Sequence, residues 1–136
     1  MTLVDQLIRD EGMRLHPYTD TTGHLTIGIG RNLSADGISE PEAEMLLSND
    51  IAVASARLEE AFPWTSAIDG VRRDALINMC FNMGIGGLAG FRDFLLACQN
   101  GQWAEARNAM LDSTWAEKVG PRAQRLAIQI ETGQPQ

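Results

Sequence analysis

The chain has 136 residues, 44% of them hydrophobic, enough for one domain with a real core. Its formal net charge of −7 argues against nucleic acid as a partner, because phosphate contacts need a basic patch. No stretch is apolar for long enough to span a bilayer, so no stable membrane insertion is expected.

The acidity is local. Residues 34–63 hold seven acids against Arg57 alone, while the flanking segments are near neutral. MTLVDQLIRDEG carries charge at positions 5, 9, 10 and 11 and has no apolar centre, so it does not read as a signal peptide. Synthesis in the cytoplasm is expected, with release depending on something else. Cys80 and Cys98 each fall in a run that reads as buried helix, where free thiols are favoured over a disulfide.

Thr2 and Asp5 have capping-box spacing, and Leu3, Leu7 and Glu11 share one stripe of the helix that follows, up to Gly12. Residues 13–24 read as a loop leading into a hairpin, with Asp20-Thr21-Thr22-Gly23 as its turn. Leu25, Ile27 and Ile29 alternate with Thr26, Gly28 and Gly30, which predicts a strand with one bare face. Ser39 and Glu42 form a second capping box before a long helix carrying Leu47, Ile51, Ala54, Leu58 and Phe62, ended by Pro63.

Helices account for the rest. Asp69 caps one that stops near Gly84. Others run from about Phe91 to Cys98, from near Trp103, and from Gly120-Pro121 to Gly133. The sum is an α+β, mostly helical chain. A small helix-plus-hairpin lobe (about 12–38) and a connecting helix (about 39–62) precede a larger helical lobe (about 64–136, with the N-terminal helix 2–11). A cleft between the lobes is the expected place for a site.

Two carboxylates stand out. Glu11 follows Leu3 and Leu7 on an oily stripe, so desolvation would favour its protonated form, as a general acid requires. Asp20 sits at a polar turn beside two threonines and should stay ionised. Unlike environments for paired carboxyl groups suit glycoside hydrolysis. The fold-back of the hairpin can bring the Thr26 hydroxyl towards Asp20, where the two could hold a water. Taken singly, each of these residues is also an ordinary turn or strand former. His16 and His24 lack partners at metal-ligand spacing and read as loop-surface residues; no metal is expected. Trp64, Trp103 and Trp115 sit at helix edges and read as core packing.

The pattern DEG…Y-x-D-T-x-G…T-I-G-I-G resembles the active-site region of phage-type lysozymes, the endolysin family of tailed bacteriophages. The similarity continues in DGVRRDALINMCFNMG (69–84), GLAGF (87–91), QW-x-EA (102–106), S-x-W (113–115) and PRAQR (121–125). It covers almost everything except roughly 32–66.

The resemblance implies a lysozyme-like fold and a catalytic triad of Glu11, Asp20 and Thr26. It implies substrate contacts at Asn32, Phe81 and Asn82, and support of the catalytic Glu by Arg122. The implied reaction is hydrolysis of the β-1,4 bond between N-acetylmuramic acid and N-acetylglucosamine in peptidoglycan. Inversion at the anomeric carbon is pictured. It would need carboxyl groups about 6.5–9.5 Å apart, whereas about 5–5.5 Å points to retention.

No cofactor is implied. A monomer is expected, acting on the wall from the periplasm once the inner membrane has been permeabilised. Arg31 stands where the family has a familiar His, so a histidine–carboxylate pair there is not expected. On the residues alone two other readings stay open: a catalytically weak wall-binding module of the same fold, and an acidic helical interaction protein.

Overall fold

The computed structural model describes residues 1–136. In chain order it contains α1 (Leu3–Glu11), β1 (Arg14–Thr19), β2 (Leu25–Gly28), β3 (Arg31–Asn32), α2 (Leu33–Asp36) and α3 (Glu40–Ala61). A 3₁₀ turn (Pro63–Ala67) leads to α4 (Gly70–Ala89), α5 (Arg92–Gln99), α6 (Trp103–Leu111), α7 (Thr114–Val119) and α8 (Pro121–Thr132). The mostly helical α+β architecture is the one expected. The chain divides into two compact units, Met1–Leu46 and Leu47–Gln136, with the division inside α3.

In the first unit, both capping boxes form. The Thr2 hydroxyl accepts from the Asp5 amide at 3.1 Å while Asp5 accepts from the Thr2 amide at 2.8 Å. Ser39 and Glu42 make the same reciprocal pair at 3.3 and 3.1 Å. The sheet is antiparallel in the order β1-β2-β3. Tyr18 lies opposite Thr26, and Thr26 opposite Asn32; the register is irregular between Arg14 and Tyr18.

Two local readings are corrected, and one segment without a sequence signal is filled in. Residues 14–19 are a strand rather than loop; Pro17 and the register irregularity break the alternation that would have announced it. The segment after Asn32 folds into the one-turn helix α2, too short to display a period. The Asn32 side chain caps it by accepting from Ala35 N at 3.0 Å. Finally, α1 buries no residue, and Leu3, Val4 and Leu7 are exposed. The period showed which face was apolar, not whether anything covered it. Thr26 is the one buried residue of this unit.

The hydrophobic core belongs to the second unit. Leu58, Leu76, Met79, Leu88, Phe94, Met110 and Ile130 are fully buried, and Trp64, Trp103 and Trp115 pack against the core from its edges. Pro63 ends α3 as expected, because it has no amide to continue the ladder. The Asp69 carboxylate caps α4 through Arg72 N at 3.0 Å. The helical run capped by Asp69 is interrupted at Gly84 (φ 78°, ψ 163°), where a stop is expected, and a further helical stretch of α4 follows to Ala89. Helix α7, short and capped by Ser113, was not anticipated. Cys80 and Cys98 are buried free thiols.

Candidate active site

The turn of the hairpin is built around one residue, His24. Its amide donates to Asp20 Oδ1 at 2.9 Å. Its carbonyl accepts both the Asp20 amide at 2.9 Å and the Thr26 hydroxyl at 3.0 Å. The main chain of His24 therefore ties Asp20 to Thr26.

Asp20 Oδ1 also accepts from the Thr22 amide at 2.9 Å and the Thr22 hydroxyl at 2.8 Å. The His24 amide foremost, then the Thr22 hydroxyl, hold the Asp20 carboxyl below the ordinary aspartate range. This is the ionised group the polar turn suggested. All these bonds fall on Oδ1, which leaves Oδ2 as an acceptor. Thr26 is only 3% exposed. Its proton is committed to His24, so towards any other group its oxygen can only accept.

Glu11 occupies the last turn of α1. Its side chain lies against Gly30, where a Cβ would fall 2.8 Å from Glu11 Oε2. The group is exposed, so the expected lodging among oily neighbours is not met. Leu7, its stripe-mate, is exposed as well.

Arg31 pairs with Glu42, Nη1 to Oε2 at 3.0 Å, and also donates to the Gly37 carbonyl at 3.1 Å. The Arg31 contact foremost, with Ser39, pulls the Glu42 carboxyl down to about 2. Arg31 thus ties β3 to the start of α3. Asn32 uses its carbonyl oxygen as the α2 cap and keeps its amide nitrogen available.

In the second unit, Phe81 and Arg122 line a groove of about 440 Å³ together with Asp74, Ile77 and Asn78. Phe81 remains 47% exposed there, as a stacking surface would. Arg122 donates from Nε and Nη2 to the single Asn78 Oδ1, at 3.1 and 2.7 Å. Asn82 Oδ1 accepts from the Trp115 indole at 2.7 Å, and Trp115 meets Phe91 edge-on at 6.1 Å. The carboxamide of Asn82 is therefore held in one orientation with its NH₂ free. No group of His, Cys, Asp and Glu side chains is arranged to hold a metal.

Residues 9–129 match the phage lysozyme family. The chain belongs to that family. It is 34% identical to the probable T4-type lysozyme 1 of Dictyostelium discoideum, over 97% of this chain and 95% of that protein. It is 33% identical to the pre-baseplate central spike protein Gp5 of Enterobacteria phage T4, over 98% of this chain but 28% of that larger protein. The endolysin of Salmonella phage P22 is 32% identical over 64% of each chain.

Within this phage lysozyme chain, four further residues carry structure around the candidates; from sequence Gly30 reads only as part of a bare strand face and His24 only as a loop-surface residue, and Thr22 and Asn78 carry no assigned role. Thr22 and His24 organise Asp20, Asn78 holds Arg122, and Gly30 makes room for Glu11. Thr22 lay in the recognised turn and Asn78 in a recognised block. The His24 contribution through its main chain leaves no trace in residue type.

Proposed function

We propose that the chain is a peptidoglycan hydrolase that cleaves the β-1,4 bond between N-acetylmuramic acid and N-acetylglucosamine. Glu11 protonates the leaving glycosidic oxygen. Asp20 and Thr26 hold the attacking water, and Asp20 takes its proton or stabilises the charge developing on the sugar.

One observation carries this assignment: the common attachment of Asp20 and Thr26 to His24. It turns Oδ1 and the threonine proton inward and leaves two acceptors, Asp20 Oδ2 and Thr26 Oγ. A water giving both protons to these acceptors presents a lone pair as nucleophile. That picture favours inversion at the anomeric carbon. Family membership supports the substrate class.

The free amide of Asn32 and the exposed ring of Phe81 suit contact with a saccharide, as does the fixed carboxamide of Asn82. Arg122, held by Asn78, offers a cation beside the Phe81 ring in the same groove. No helix is long and apolar enough to cross a membrane. The chain acts as a monomer on the wall, after another agent has permeabilised the inner membrane.

The test is digestion of purified peptidoglycan, with products read by mass spectrometry and their anomers by early-time NMR. Fragments with reducing muramic acid ends, released as the α-anomer and lost in Glu11→Gln, are the expected result. Anhydro ends, cut peptide stems, binding without release, or full activity in Glu11→Gln would overturn the reading.

A further inference from the structure

The His24 side chain does more than sit at the surface of a turn. Its Nδ1 lies 2.7 Å from the Thr22 hydroxyl and 3.8 Å from Asp20 Oδ1, and the Thr22 hydroxyl lies 2.8 Å from the same Asp20 oxygen. A threonine hydroxyl has one proton to give. Facing an ionised carboxylate at that distance, it must give it to Asp20, since the reverse arrangement would set oxygen lone pairs against each other. The oxygen is then left to accept from His24, so Nδ1 carries hydrogen. The donors run in one direction: His24 Nδ1–H to Thr22 Oγ–H to Asp20 Oδ1.

We propose that His24, acting through the Thr22 hydroxyl, is a positioning residue for Asp20. The relay fixes the hydroxyl rotor on Oδ1 and keeps the carboxylate plane set, so that Oδ2 stays turned to the water. It rests on the reading of Asp20 as the water-holding carboxylate. The other ionisable side chains of the hairpin do not join it. Arg14 lies over the Tyr18 ring at 4.3 Å, and neither these two nor His16 hydrogen-bonds to the cluster. Because the Thr22 and His24 amides also bond to Asp20, removing the side chains leaves the main-chain frame of the turn in place.

The experiment measures kcat and KM on dye-labelled peptidoglycan across acid pH for Thr22→Val, His24→Phe and His24→Asn, with Asp20→Asn in parallel and folding checked by circular dichroism. Asparagine places an N–H near the position of Nδ1. The expected result is a fall in kcat of about tenfold for Thr22→Val and about threefold for His24→Phe, from the loss of a hydrogen bond to a charged group and of its polarising neighbour. KM changes little. The acid limb moves to higher pH, since Asp20 loses a donor that favours its ionised form, and His24→Asn restores both rate and limb.

Acid limbs and kcat values that superimpose on the parent overturn the proposal. So does a His24→Phe loss that asparagine fails to rescue, which would mark a structural role. Full activity in Asp20→Asn would overturn the underlying reading of Asp20. An inactive Asp20→Asn beside unaffected relay variants overturns the relay alone.

Discussion

Replacing Gly30 with alanine should cut turnover, whereas replacing Gly28 should not. The two glycines share φ near +71°, so alanine strains the backbone at both, by roughly 1–2 kcal/mol. Both variants should melt several degrees lower. They differ in what the new methyl meets. At position 28 nothing lies within 4 Å. At position 30 the methyl falls 2.8 Å from Glu11 Oε2, 3.1 Å from its Cδ and 3.2 Å from its Cγ.

Ordinary contact is about 3.5–4.0 Å, so the carboxyl must retreat by roughly 0.5–1 Å. A misplacement of about 1 Å at a reacting group costs up to about a hundredfold in rate. The expected outcome is kcat lowered roughly 10- to 100-fold in Gly30→Ala and unchanged in Gly28→Ala, scaled to folded protein. Initial rates of dye release from purified peptidoglycan, with thermal melts on the same samples, give the comparison. Equal kcat in the two variants would refute the reasoning: either Glu11 relocates without consequence, or it is not the acid.

Three further outcomes concern the second unit. Arg72 donates to the Ile130 and Glu131 carbonyls at the end of α8, at 2.6 and 2.8 Å, and lies 4.3 Å over the Trp103 ring. Arg72→Met should lose about 2–4 kcal/mol in urea unfolding, and Arg72→Lys most of that, because one ammonium cannot span both carbonyls and stack. Stability within experimental error of the parent in both would contradict the clamp.

Burial pushes the Cys98 thiol up to about 12. The unfolded chain ionises from about 8.5, so stability should fall as pH rises above that value and keep falling until the native thiol titrates. Cys98→Ala should flatten this alkaline slope, and parallel slopes in the two proteins would rule the explanation out. Asn82→Leu and Trp115→Phe should each lose about 0.5–1 kcal/mol, and a double-mutant cycle should show them coupled; additivity would mean the 2.7 Å bond contributes nothing.

Much of the frame could be read from residue type. Capping pairs at Thr2–Asp5 and Ser39–Glu42, the Asp69 cap and the proline at 63 each fix a boundary through a local contact, and each lies where the spacing placed it. The illegible parts depend on something non-local. β1 is a strand because β2 pairs with it, although RLHPYT has no clean alternation. Helices α2 and α7 have too few residues to show a period. For the site, Asp20 and Thr26 were visible as a motif with a turn between them. Their physical link was not, because a main-chain amide and carbonyl make it and any residue but proline at position 24 supplies those groups. Glu11 was found by motif and misjudged by stripe: an amphipathic pattern marks an apolar face without supplying the surface that would cover it.

A lone threonine as the only buried side chain in the first 46 residues has a thermodynamic corollary. When that stretch loosens, little oily surface newly meets water, so the event carries a small heat-capacity increment and a shallow denaturant slope. Amide exchange along β1 and β2 should hardly respond to urea, whereas exchange in α4 and α8 should respond steeply. Opening of the stretch that bears Glu11, Asp20 and Thr26 would then have an enthalpy that stays nearly constant from cold to warm, while the helices around Phe94 and Ile130 carry most of the heat-capacity change of unfolding.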